Sequence, residues 1–168
     1  LSQIRVPLSG TETTASLTDT LSELGAQLLV DTLKGLASGT VQGIPQDESK
    51  ATYCTMITKE DGCIDWASDA VVIERKVRAF DPWPRAWTLF KGRVLNILQA
   101  HLYGGRSTDT SRLPGAVLGM DKNDGILIQT GNGILAVTRL QLATNKALDW
   151  MAFLNGTRDF IGSVLGGR

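Results

Sequence analysis

The segment Arg78-Ala79-Phe80-Asp81-Pro82-Trp83-Pro84-Arg85-Ala86-Trp87-Thr88 separates two kinds of pattern in this chain. Before it, Ala70, Ile73, Val77 and Phe80 recur at spacings of three, four and three. That is the apolar face of a short helix, starting near Trp66 and running to about Arg78. Asp81-Pro82-Trp83-Pro84 stops it, because a residue before proline is pushed out of helical angles. After it the period changes. Residues 87–90, 93–99, 116–119, 126–129 and 134–140 are short runs rich in β-favouring residues. Lys91-Gly92, Gly104-Gly105, Pro114-Gly115, Asn123-Asp124-Gly125 and Gly131-Asn132-Gly133 separate them as turns, the last a hairpin turn rather than a phosphate loop. Five or six short strands at this spacing predict a small barrel. Residues 148–154 predict a closing helix that ends at Asn155-Gly156.

Upstream the pattern is different again. Gln3-Ile4-Arg5-Val6-Pro7-Leu8 alternates like a strand. A turn rich in capping residues follows, then Leu17, Leu21, Leu24, Leu28, Leu29, Leu33 and Leu36 mark one face of a long helix. Thr13 or Thr14 is placed to accept its first free amide hydrogens, Gly25 to bend it and Gly39 to end it. One strand and one amphipathic helix cannot enclose a core. The opening therefore reads as the end of a larger domain, and the chain, which starts at Leu1, as a cut from a longer protein. Residues 40–64 are loop-like and fit a linker.

Composition narrows the classes. Of 168 residues, 42% are hydrophobic and 20% charged, which suits a folded protein rather than a disordered one. No apolar run approaches the roughly 20 residues that span a bilayer, and no signal-peptide pattern opens the chain, so cytoplasm is the expected location. Cys54 and Cys63 fit no zinc spacing and are expected to be reduced and structural; with His101 the only histidine, no metal site is expected. The net charge of zero conceals a gradient: residues 1–52 carry −3 and residues 53–168 carry +3. Within residues 75–112, eight bases stand against Asp81 and Asp109. Such a stripe is either a solvated face or a footprint for a polyanion. Trp66, Trp83, Trp87 and Trp150 have the same two roles open to them, stacking on bases or packing in a core, and packing is the commoner. On α-helical geometry Arg75 and Arg78 lie near one another, and Arg78 has Asp81 or Asp65 as candidate structural partners.

Several segments, in order, resemble the methionyl-tRNA formyltransferase family. Gln46-Asp47-Glu48-Ser49-Lys50-Ala51-Thr52-Tyr53 resembles the stretch leaving its catalytic domain. Ile64-Asp65-Trp66 followed by Ala70 resembles the start of its C-terminal domain. The segment quoted at the outset is similar to the family's RAFNPWPGAWT stretch. Pro114-Gly115, Thr130-Gly131-Asn132-Gly133, Leu140-Gln141 and Phe153-Leu154-Asn155-Gly156 fall where the family has PG, TGDG, LQ and FLNG.

The resemblance implies an α+β fragment. Residues 1–45 would be the end of a Rossmann-like formyltransferase domain, 46–64 a linker, and 65–168 a small OB-like β-barrel domain with short helices that binds tRNA. The full-length enzyme it implies is expected to be monomeric and to transfer a formyl group from 10-formyltetrahydrofolate to the amine of methionyl-initiator tRNA. That reaction needs a base for the amine proton and donors for the developing oxyanion. The family supplies an Asn, a His and an Asp from its catalytic domain. His101, in Ala100-His101-Leu102-Tyr103-Gly104, matches neither the motif around that His nor the family's later Asp-x-Gly segment, so no catalytic residue and no bound folate are expected here. The tRNA-binding candidates are Lys59, Arg75, Lys76, Arg85, Lys91, Arg93 and Lys146. Three positions depart from the family: Ala67 replaces its usual capping Ser, leaving that role to Ser68 or Asp69; Arg85 replaces Gly or Met; and Asn145-Lys146-Ala147 keeps one lysine of two. The alternatives are a related formyltransferase acting on nucleotide sugars, a formyl-folate hydrolase, or a stand-alone RNA-binding barrel.

Overall fold

The computed structural model describes residues 1–105 and 112–166, so Arg106 and Asp109 of the basic stripe lie outside the described residues. The chain divides into two compact units, Leu1–Ile57 and Thr58–Arg168.

In the first unit the leucine periodicity produces helix α1, Thr14–Ala37. Thr13 caps it: the Ser16 amide donates to Thr13 Oγ1 at 3.2 Å, and the Thr13 amide donates to Ser16 Oγ at 3.0 Å. The helix runs through Gly25 without interruption and ends at Gly39, whose φ of +71° is the left-handed conformation expected after a helix. Glu12 accepts from the Ser9 amide and hydroxyl, and these bonds hold its carboxyl down at about 2. The expected opening strand is not formed. Residues 1–8 have no hydrogen-bonded neighbour, and a strand exists only as part of a ladder. Thr32 is the single buried residue of this unit, and Leu21, Leu29, Leu33 and Leu36 are exposed.

The second unit is an antiparallel sheet with two helices. Helix α2 (Ala70–Ala79) precedes strands β1 (Ala86–Phe90), β2 (Arg93–Leu102), β3 (Val117–Asp121), β4 (Gly125–Gln129) and β5 (Ile134–Leu142); β6 (Leu148–Asp149) and helix α3 (Trp150–Gly156) follow. The sheet order is β1-β2-β5-β4-β3, with β6 on β5. Two details differ from the sequence reading. Helix α2 starts at Ala70 rather than near Trp66, and neither Ser68 nor Asp69 caps it with a side chain. Instead the first amide, of Ala70, donates to the Asn132 carbonyl at 2.9 Å, supplied by the β4–β5 turn. Gly131 of that turn donates to the Trp66 and Ser68 carbonyls. A Cβ there would stand 1.8 Å from the Ala67 oxygen, so only glycine permits the approach.

The core lies between the sheet and the helices. Ile73 and Val77 of α2 meet Leu95, Ile97, Leu135, Val137 and Leu140. Strand β1 alternates, with Ala86, Thr88 and Phe90 inside. Trp66 is buried and donates its indole hydrogen to Thr88 Oγ1 at 3.0 Å, as a buried indole requires. Trp83 departs from the expectation of core packing: it is 59% exposed.

The ladder is open, because β1 and β3 do not pair. Residues 160–166 join the two edges. Val117 of β3 donates to Ser163 and accepts from Gly162, Leu165 donates to Gly115, and Gly166 donates to Leu89 of β1. Phe160 anchors this strap. It is fully buried, with its ring edge-on to Phe90 and Phe153 at 4.9 Å each. Phe160→Ala should therefore cost the second unit about 3–5 kcal/mol, measured by urea denaturation. A loss below about 1 kcal/mol would mean that the strap is dispensable.

Candidate nucleic-acid interface

Five of the seven basic candidates flank the β1–β2 hairpin. Its two-residue turn, Lys91-Gly92, has positive φ at both positions (+49° and +72°), the twist that suits antiparallel strands. On one side lies a concavity of about 400 Å³ lined by Lys91, Arg93, Lys146, Arg158 and Asp159. Strand alternation aims Arg93 at it, and the loop after β5 brings Lys146. Arg158 and Asp159 arrive with the chain that leads from α3 into the strap. Asp159 is ion-paired to Lys91, whose ammonium also lies 5.6 Å from the centre of the Phe90 ring. The bond from Lys91 holds the Asp159 carboxyl below its ordinary value. Among the described residues none of Arg93, Lys146 or Arg158 is in an ion pair. Four bases and one acid in a concave site concentrate a positive field.

On the other side a second concavity, of about 490 Å³, is lined by Lys59, Glu60, Pro84, Arg85, Trp87, Val94, Asn96 and Thr144. The chain before β1 is laid along that strand. The Ile64 amide donates to the Trp87 carbonyl at 2.8 Å, and the Trp87 indole donates to the Lys59 carbonyl at 2.9 Å. Gly62 makes this possible, since a Cβ would be 2.2 Å from the Arg85 oxygen. Residues 59–64 are thus held by the second unit. Arg85 donates to Gln141 Oε1, and Gln141 Nε2 donates to the Asn145 carbonyl at 2.8 Å.

Arg75 and Lys76 line neither concavity. Arg75 is exposed on α2, while Lys76 donates to the Cys63 carbonyl at 2.9 Å and lies 5.9 Å from the Phe80 ring centre. Arg78 pairs with Glu74, one turn back on α2, at 2.6 Å, a partner that the sequence reading did not name. His101 meets Asp124 at 2.8 Å. Cys54 and Cys63 are free and exposed. Arg158 and Asp159 escaped the sequence reading because they sit far from the stripe of residues 75–112; only the strap joins them to it.

The family described as Formyl transferase, C-terminal domain, matches residues 56–158. Similar proteins include the methionyl-tRNA formyltransferases of Treponema denticola (46% identical over 163 residues, 96% of this chain and 51% of the relative), Treponema pallidum strain Nichols (44% over 170 residues, 99% and 51%) and Pseudomonas fluorescens strain Pf-5 (40% over 168 residues, 99% and 51%). The chain spans about half the length of the curated relatives it matches. Among solved structures, HypX from Aquifex aeolicus is similar with a TM-score of 0.66 at 20% identity, covering 94% of this chain and 28% of that one. A second HypX structure, in complex with tetrahydrofolic acid, has the same score at 19% identity, covering 97% and 30%. At that identity the likeness is one of fold.

The Lys91–Asp159 pair makes a pH prediction. A carboxyl whose folded pKa is depressed contributes stability that is present above its unfolded value, near 3.9, and is lost as pH falls through the folded value. Asp159 should therefore show no titration near neutrality and should titrate below the ordinary range when followed by carbon NMR. Lys91→Ala should return it upward toward about 3.9. An unchanged titration would show that the pair does not persist in solution.

Proposed function

This chain belongs to the Formyl transferase, C-terminal domain family, and from that premise we propose that it is the tRNA-binding part of a methionyl-tRNA formyltransferase. Residues 1–45 then end the catalytic domain, 46–64 form the linker and 65–168 form the tRNA-binding domain. The strap across β1 and β3 supports reading that domain as an OB-like barrel completed by a short segment rather than by a strand. The whole enzyme would use 10-formyltetrahydrofolate as co-substrate and methionyl-initiator tRNA as acceptor, in the cytoplasm; the described residues hold no helix long and apolar enough to cross a membrane.

The observation that carries the binding role is the convergence of Lys91, Arg93 and Lys146, joined by Arg158, on one concavity. Side chains far apart in sequence there present positive charge to one ligand, and a phosphate backbone is the polyanion that the relatives' substrate offers. Asp159 competes with phosphate for Lys91, so binding replaces one partner by another. Lys59 and Arg85 extend the contact on the far side of the hairpin. Arg75 would add an exposed charge from α2, and Lys76 would engage only by leaving Cys63.

Phosphate contacts release counterions, so log affinity for initiator tRNA should fall linearly with log salt. With roughly four contacts the slope is about −3 to −4. The double change Lys91→Glu, Arg93→Glu should weaken binding to every tRNA and flatten the slope by about 1.4 to 1.8, without changing which tRNA is preferred. Filter binding between 50 and 200 mM salt would read both. If affinity and slope are untouched, the stripe is only a solvated face.

These 168 residues should not catalyse formyl transfer alone. The single histidine is partnered by Asp124, away from any motif that matches the family's catalytic residues. Incubation with 10-formyltetrahydrofolate and methionyl-tRNA should yield no formylated product, and measurable turnover would overturn the assignment.

A further inference from the structure

We infer that the concavity walled by Trp87 and Pro84 holds one unpaired nucleotide of the nucleic-acid partner, with Arg85 on its phosphate. The inference rests on the nucleic-acid reading above but on different observations. The concavity is of ligand size, about 490 Å³. The Trp87 indole is half-buried and its nitrogen donates to the Lys59 carbonyl, which restrains the ring. A fixed aromatic face is a stacking platform for any base.

Polar groups are preorganised around it. Both amide atoms of Gln141 are engaged: its oxygen accepts from Arg85 and from Asn96 Nδ2 (3.4 Å), and its nitrogen donates to the Asn145 carbonyl. Gln141 therefore orients Asn96 instead of binding. Asn96 keeps one oxygen and one hydrogen free of bonds among the described residues, the acceptor–donor pair that matches a base edge. Arg85 keeps donors beyond the one that Gln141 takes. Glu60 at the rim can accept from an exocyclic amino group and repels a second phosphate.

Strain points to the same place. Among the described residues Arg85, Lys91 and Thr144 are the non-glycine residues with left-handed angles, at +71°, +49° and +72°. Arg85 and Thr144 both line this concavity, while the angle of Lys91 belongs to the hairpin turn. Such conformations are unfavourable for L-residues and persist where the surroundings enforce them, a condition that recurs at ligand sites. A base inside a duplex has both faces covered by its neighbours and cannot reach Trp87. The site therefore distinguishes single-stranded from paired segments, while the neighbouring basic concavity reads charge alone.

The test uses the 168-residue chain with two probes, the single-stranded tetranucleotide rU4 and a blunt 12-base-pair RNA duplex. Trp87→Ala should weaken tetranucleotide binding by about 5- to 100-fold with an unchanged salt slope, and should move duplex affinity less than twofold. Lys91→Glu, Arg93→Glu should weaken both probes and flatten the slope. Equal loss for both probes in Trp87→Ala, or no loss, overturns the inference. In case Trp87→Ala fails to fold, NMR of the unmodified chain gives a second readout. The Trp87 indole resonance, assigned by its absence in Trp87→Phe, should shift and saturate with the tetranucleotide and not with the duplex; no shift overturns the inference. A Trp87 effect with an inert double reversal sinks the phosphate reading alone. An effective double reversal with an inert Trp87 sinks this one alone.

Discussion

The second unit depends on Phe160 and the strap behind it. The sheet presents two unpaired edges, β1 and β3, and an open edge is costly in both exposed backbone groups and unwanted pairing. Amides of Gly162, Leu165 and Gly166 and the carbonyl of Ser163 supply both edges with partners. Phe160 holds the strap by filling the space between Phe90 and Phe153. The same anchorage brings Arg158 and Asp159 beside Lys91, so the closure of the fold and the assembly of the basic concavity are one event.

The hairpin from β1 to β2 divides two chemistries. One flank offers charge on long flexible side chains, suited to a backbone of phosphates that slides and adjusts. The other offers a fixed ring, fixed amides and strained backbone, suited to a single planar group. Residues 59–64 frame that second flank because Gly62 lets them lie against the Arg85 carbonyl. Arg85 holds a left-handed position that glycine would adopt without penalty; the backbone strain here is accompanied by a guanidinium bonded to Gln141.

The first unit obeys different physics. Helix α1 is capped at both ends by local bonds that need nothing from elsewhere, yet its leucines cover no core and Thr32 alone is buried. Local capping makes a helix; it does not make a domain, since burial of apolar area supplies most of the stability.

Local signals determined much of this protein. The 3-and-4 spacing of α1 and α2, the Asp81-Pro82-Trp83-Pro84 stop and the glycine turns were legible because each acts within a few residues of itself. So were strands β1 to β5, whose bounds fell within three residues of the structure, whereas Leu148–Asp149, read as the start of the closing helix, pairs as β6. The ordered motifs also made the family legible. Everything that depended on a partner distant in the chain was decided only in three dimensions. The absent strand at residues 1–8 lacked a ladder neighbour, which no run of alternating residues reveals. The cap of α2 came from the Asn132 carbonyl, a backbone atom with no residue signature. Arg78 found Glu74, a partner one turn away that the sequence reading had not named. Of the seven basic candidates, the fold gathered five around one hairpin and left Arg75 and Lys76 on α2. It added Arg158 through a strap whose hydrogen bonds to the sheet edges are main chain. Sequence displays side chains in one dimension, whereas a binding surface is the set of side chains that backbone pairing brings together.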